Sequence, residues 1–400
     1  MPHTPSAHMS TGLTLIFLAR RPNPPILLLF TTGVIICHTI IKDLIKMTFS
    51  VSYRVKILTT LIAAAPTLAL STPFADSTFF HKDWELVCDN TLTCRAAGYS
   101  SEEQYSGEGD VPAVSLLLTR HAGQNTAITA DVTLAEVDKE IPKDTKLTLT
   151  IDGVDKGLLT AAGDNLWQLN DKQIPVVLQA LKGNGNVAFS HNGLVSALSG
   201  AGAYAVLLKM DEKQGRIDTT DAITKKGSKS SALPAVAAPV IHAAVTKQAP
   251  SRDLTDAEQT AIQKKLLKTL NGDCDRMPPQ DGQEAEPIEL TPLNDSLSLL
   301  STLCWRAAYN EGYAYWVIDN AMQTQPQLVT TDGTDYGEGE IAAVQKGRGL
   351  ADCMSNESWT WDGKAFQQSS VSITGLCRMI RLGGTWDLPL WTTTVIKSGE

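Results

Sequence analysis

Cysteine and aromatic residues are scarce in this chain. Seven cysteines in 400 residues are too few for a scaffold held mainly by disulfides, because a chain this long can bury a sizeable core. Aromatics make up 6% and charged residues 19%, against 43% hydrophobic. That balance excludes a collagen, a wholly disordered chain and a polytopic membrane protein. No C-x-x-C occurs and no histidine stands at ligand spacing from a cysteine pair, which argues against a zinc site and a thioredoxin-type centre. A G-x-S-x-G elbow and the Walker and Rossmann phosphate loops are also missing. The length predicts two or three domains.

Positive charge is concentrated at the start. Residues 1–75 hold six Lys/Arg and one acid; the remainder holds 28 basic and 42 acidic residues, a net charge of −14. So acidic a body is a poor partner for nucleic acid, which needs clustered Lys/Arg, and for an anionic membrane. Two apolar stretches precede residue 76. The second, Ile57–Leu70, follows Arg54 and Lys56 and ends in small residues, the form of a secretory signal. We therefore expect residues 1–46 to be a leader or upstream translated region and residues 47–75 a signal peptide beginning at Met47. The mature chain is then periplasmic or secreted, without stable membrane insertion. The rival reading makes residues 25–41 a membrane anchor.

Six cysteines remain in the mature chain: Cys88, Cys94, Cys274, Cys304, Cys353 and Cys377. An even number in an exported chain implies a disulfide framework. Fifteen connectivities exist on paper; sequence order and domain division favour Cys88–Cys94, Cys274–Cys304 and Cys353–Cys377.

Residues 224–252 are rich in Ala, Pro, Lys and Ser and lack aromatics, the composition of a linker. It separates an N-terminal α+β domain, 76–223, from a C-terminal β-rich domain, 253–400. The expected class is α+β: two mainly β domains with a few flanking helices, stapled by disulfides. In the first, strands are predicted at 84–88, 93–97, 113–119, 126–132 and 146–151, with a tight hairpin at Asp152-Gly153. Helices are predicted at 172–182 and 200–216, with a strand near 186–190 between them. In the second, Thr255 and Glu258 form a capping box opening a helix, and Asn271-Gly272 stops it. Strands follow at 296–308, 313–318, 359–361, 365–367, 371–373 and 377–381, with a type I′ hairpin at Asp362-Gly363. A weak echo of Cys94-Arg95-Ala96-Ala97 in Cys304–Ala308 lacks the constant spacing of a repeat.

Asp83–Asn90 with Cys94-Arg95-Ala96, Leu198–Ala203 running into Met210–Arg216, and Cys377-Arg378 with Gly383–Pro389 resemble the DUF1176 family, exported bacterial proteins of unknown function with six characteristic cysteines. The first half resembles, more distantly, the invasion-associated locus B family, through the Trp84…Cys88 opening and the small residues near 198–205. The resemblance implies periplasmic or secreted residence and brings no catalytic residues.

No catalytic or metal-binding set, and no cofactor, is read from the residues. His81, His121, His191 and His242 are scattered. The Gly-rich acidic loop 332–340 has oxygens for Ca²⁺ but lacks the EF-hand ligand order, and reads first as a solvated β-turn. Gln214 and Arg216, at the end of a helix, are candidates for a ligand or partner contact; helix capping and cross-domain pairing is the competing role. Six of the eight Trp lie in the second half. Trp359 and Trp361 share a strand face and form a candidate ligand or partner surface, for a glycan or an envelope protein, if that face is exposed. If it is covered, they are core. The expected function is a non-catalytic binding or structural envelope protein. The alternatives are an envelope enzyme acting on cell-wall or glycan material, and an inhibitor of lysozyme-like enzymes that exploits the acidic surface.

Overall fold

A computed structural model of the chain describes residues 76–105, 111–137, 140–230, 232–279 and 284–397. The expected leader, signal peptide and alternative anchor lie outside the described residues. Among the described residues strand dominates over helix, 42% against 11%, as the mainly β reading requires.

The N-terminal half is built on a meander. Trp84–Cys88, Cys94–Tyr99, Val114–Arg120 and Ile128–Leu134 pair antiparallel in chain order. Thr78–His81 adds one edge, and Leu166–Gln168 and Thr160–Gly163 extend the other. All five residues of Trp84–Cys88 are buried, because both sheet faces are covered. On one face Trp84, Leu86, Leu116 and Leu118 join Phe189 and two helices, α1 (Gln173–Lys182) and α2 (Ala203–Lys213). On the other, Val87, Ala97, Tyr99 and Leu117 meet Val371, Ile380, Leu388 and Leu390 of the C-terminal half. The period-2 alternation of strands sorts these residues to the two sides. A four-stranded sheet runs Leu194–Leu198, Val187–His191, Thr148–Ile151, Val154–Leu158. Its Asp152-Gly153 turn has positive φ at both residues, 52° and 77°, the type I′ geometry expected. Asn192-Gly193 makes a second such turn, a signal passed over in the sequence.

The C-terminal half is a sandwich. One sheet runs Arg252–Asp253, Glu289–Pro292, Leu297–Arg306, Glu311–Asp319, Gln327–Gly333; the other runs Asp335–Gly337, Glu340–Lys346, Met354–Trp361, Phe366–Ile373, Leu388–Thr392. Helix α3 (Asp256–Leu267) carries the predicted capping box: Thr255 Oγ1 accepts from the Glu258 N–H, and Glu258 Oε2 accepts from the Thr255 N–H. Its Ile262 and Leu266 cover Leu300, Ala314, Trp316 and Ile318. Leu299, Tyr315 and Val317, on the opposite face, pack against Ile341, Trp359, Trp361 and Phe366.

Cys88–Cys94, Cys274–Cys304 and Cys353–Cys377 are bonded, the pairing that chain order favours. Three local expectations change. Asp362-Gly363 sits in a four-residue loop between the paired Trp361 and Phe366, because the Asp362 carboxylate takes the N–H groups of Lys364 and Ala365. Residues 377–381 form no strand; they cross onto the N-terminal half, where the Glu136 N–H bonds the Ile380 carbonyl. Residues 224–252 are not a free tether. Thr224 is bonded to Asp211, Leu233 to Gln214, and Val240–Ala243 pairs in parallel with Thr394–Lys397. A Pro/Ala-rich extended chain has ladder groups to offer, and its partner strand lies some 150 residues downstream, beyond any local pattern.

Candidate functional site

Gln214 and Arg216 make no surface. Both are wholly buried at the end of α2. Arg216 pairs with Asp221 through Nη1; its Nη2 donates to the carbonyls of His121 (3.0 Å) and Gly123 (2.7 Å) and to Thr126 Oγ1 (2.7 Å); its Nε donates to Gln214 Oε1 at 2.8 Å. Gln214 Nε2 donates to the carbonyls of Leu92 (2.9 Å) and Arg120 (2.8 Å). Arg120, 3.8 Å from Asp211 and 3.3 Å from Asp221, is lowered to about 10 by burial and then by Arg216, with the two aspartates opposing. Burial pushes Asp221 up, but Thr219, Arg216 and Arg120 outweigh it and hold it below the usual range. The guanidinium fork is spent on the protein itself.

Trp359 and Trp361 are 8% and 1% exposed. They do share a face, but the facing sheet covers it, and Trp361 lies 5.2 Å from the Phe366 ring. These two rings provide no stacking platform.

The structure instead opens a cleft of about 790 Å³ on the same sheet, between the 243–248 and 392–397 segments and the strands beside them. One rim is the hairpin turn Glu338-Gly339, with φ of 50° and 84°, again type I′. The acidic loop is thus a β-turn. A Cβ on Gly339 would stand 3.1 Å from Thr246 Cγ2, so glycine lets the turn close onto the 243–248 segment. Hydroxyls line much of the cleft. Ser358 Oγ lies 2.8 Å from both Ser369 Oγ and Ser370 Oγ, and Thr393 Oγ1 donates to the Ser369 carbonyl at 2.9 Å. Trp361 also lines the cleft, and its buried indole N–H has no acceptor among the described residues. An unmet buried donor costs about 1–3 kcal/mol. In sequence these hydroxyls read only as strand residues; the Ser369-Ser370 and Thr392-Thr393-Thr394 runs are the trace they leave.

A second polar cluster lies between the halves. Glu85 interrupts an otherwise apolar strand and faces the C-terminal half beside Val87. Its Oε1 accepts from the Tyr99 hydroxyl and, at 2.8 Å, from the Leu376 N–H, while the buried Oε2 has no partner among the described residues. Burial raises the Glu85 carboxyl to about 7 against the pull of Tyr99, Leu376 and Arg378; burial and Glu85 raise Tyr99. Nearby, Asp83 accepts from Arg378 Nη2 at 2.9 Å and from Ser199 Oγ at 2.6 Å. Trp84 donates to the Ser199 carbonyl at 2.7 Å. This cluster is a seal: Gly375, at φ 93°, lies so close that a Cβ there would meet Tyr99 Oη at 2.2 Å.

Asp352, Cys353 and Cys377 bring ligand-type atoms within 4.8 Å of one another. The sulfurs are bonded to each other, and the Asp352 carboxylate holds Arg348 at 2.6 Å and the Met379 N–H at 2.7 Å. These groups are committed to the fold.

A family model described as a protein of unknown function, DUF1176, matches residues 78–393. An uncharacterized protein of Escherichia coli (strain K12), YpfG, is 22% identical over 338 residues, covering 78% of this chain and 91% of its own length. No solved structure matches. The three stretches that carry the family resemblance in the sequence converge at the seal: Asp83 and Glu85 from the first, Ser199 from the second, Arg378 from the third.

Proposed function

The chain belongs to the DUF1176 family, and we propose that it is an exported, non-catalytic binding protein of the bacterial envelope whose ligand occupies the C-terminal cleft. The observation that carries the reading is the cleft: about 790 Å³, within the range of small-molecule sites, and lined by convergent hydroxyls from three separate segments. Its two carboxylates, Glu338 and Glu340, are exposed and screened by water. That favours recognition over acid–base chemistry, which calls for carboxyls in contrasting environments.

Export is supported by the cysteines. All six described cysteines are paired, which fits an oxidising compartment. Among the described residues no helix is long and apolar enough to cross a membrane. Periplasmic or secreted residence is tested by the intact mass of protein from its native host, alkylated without reductant. The expected mass starts near residue 72 or 76, six hydrogens light and free of alkyl groups. A retained leader or alkylated thiols would overturn the export reading.

A further inference from the structure

We propose that the cleft binds a short, uncharged oligosaccharide; this rests on the binding reading above and names its ligand class. Charge narrows the choice first. Among the described residues the lining holds no arginine and no histidine, and Lys397 is the one cation there, set against Glu338 and Glu340. A phosphate, sulfate or carboxylate ligand requires clustered cationic donors, and this cleft has none.

Hydrogen-bonding capacity narrows it further. Ser and Thr hydroxyls are the main polar lining, and each is both donor and acceptor with a rotatable hydrogen. A sugar hydroxyl has the same dual character, so hydroxyl-to-hydroxyl chains extend from protein to ligand without an unmatched group. Such a chain already exists where Ser358 bridges Ser369 and Ser370. It ends at Ser370, which is exposed, and a chain of hydroxyls strengthens as it lengthens. Ala243, Ala244, Val245 and Val395 give the cleft apolar wall suited to the C–H faces of a sugar ring. Recognition here does not use an aromatic platform, since Trp361 is 1% exposed.

The test is a titration of the ¹⁵N-labelled mature protein with cellohexaose, maltohexaose and the hexamer of N-acetylglucosamine, with hexalysine as a probe of the opposite kind. The expected result is saturable movement of the Trp361 indole resonance by at least one sugar, with affinity falling tenfold or more in Ser370→Trp. If that variant does not fold, Gln248→Trp, at another exposed lining position, serves the same purpose. Leu158→Ser, on the exposed hairpin of the N-terminal half, leaves binding unchanged. Movement of Trp361 by hexalysine alone would overturn the saccharide class and keep the binding reading. Silence from every probe, or sugar shifts that spare Trp361 and ignore Ser370→Trp, would overturn the inference.

Discussion

Asp83 and Arg378 form an ion pair at 2.9 Å across 295 residues of sequence. Beside it the Leu376 N–H bonds Glu85, so the 374–378 segment is held to the N-terminal sheet by both charge and backbone. Each half has its own core, yet Val87, Tyr99 and Leu117 share a further core with Val371, Leu388 and Leu390. The joint between the halves is therefore part of the folded structure, and its chemistry sets the first two predictions.

Stability should depend on the protonation of Glu85. Its carboxyl titrates near 4.5 unfolded and about 7 folded, so the folded state binds more protons between those values. The contribution is complete below 4.5 and is lost as pH rises through 7. The shift corresponds to about 3 kcal/mol at most. Urea unfolding at pH 5 and pH 8.5 should show this loss in the native protein and a much flatter profile in Glu85→Gln, which keeps the acceptor for Tyr99 and Leu376 without the charge. Equal slopes for the two proteins would refute it.

Gly375→Ala should unfold the joint. The new methyl meets Tyr99 Oη at 2.2 Å and Glu85 Oε1 at 2.9 Å, on a backbone at φ 93°. Gly383 also has positive φ, 82°, but nothing stands within 4 Å of its Cβ. Gly383→Ala should thus cost only the left-handed strain, about 1–2 kcal/mol, and Gly375→Ala distinctly more. Thermal midpoints of the pair decide this.

Arg216→Met should cost about 3–5 kcal/mol, because it removes the wholly buried charge paired with Asp221 and all five hydrogen bonds of its guanidinium. Arg216→Lys should recover little, since one ammonium cannot reproduce a fork that serves five acceptors. Chemical denaturation measures both. A soluble Arg216→Met protein of native stability would show the network to be dispensable.

The three disulfides should rank by the loop each closes. Sequence separations are 30, 24 and 6 residues for Cys274–Cys304, Cys353–Cys377 and Cys88–Cys94. Chain entropy gives about 3.5 kcal/mol for the first two and about 2 kcal/mol for the third. Paired Cys→Ser variants, unfolded in urea, test the order; a larger loss from Cys88/Cys94 than from either other pair would contradict it.

Several features were legible in the sequence because their causes are local. The capping box needs only Thr255 and Glu258, three residues apart. Asp152-Gly153 needs only two residues that tolerate positive φ. The meander strands announce themselves through β-branched and apolar runs, and the short Cys88–Cys94 bridge joins directly opposed strand partners. The candidate site was not legible. Its hydroxyls come from residues 246, 358–370 and 392–393, and each group alone reads as ordinary strand or loop. Glu85 did leave a trace, as the lone acid in Trp84–Cys88, but its meaning depends on Leu376 and Arg378.

The sequence by itself determined the capping box, the Asp152-Gly153 turn, the meander strands, the mainly β class, the cysteine framework and the family, all of which depend on residue types and near neighbours. Only the tertiary structure decided which faces are covered. Alternation puts Trp359 and Trp361 on one side of a strand, but whether that side meets water depends on a second sheet. The same holds for Arg216, turned inward by acceptors on the distant 121–126 loop, and for the 224–252 segment, whose residues 240–243 pair with the C-terminal strand. Burial belongs to two surfaces in contact, and a strand's pattern describes only one of them.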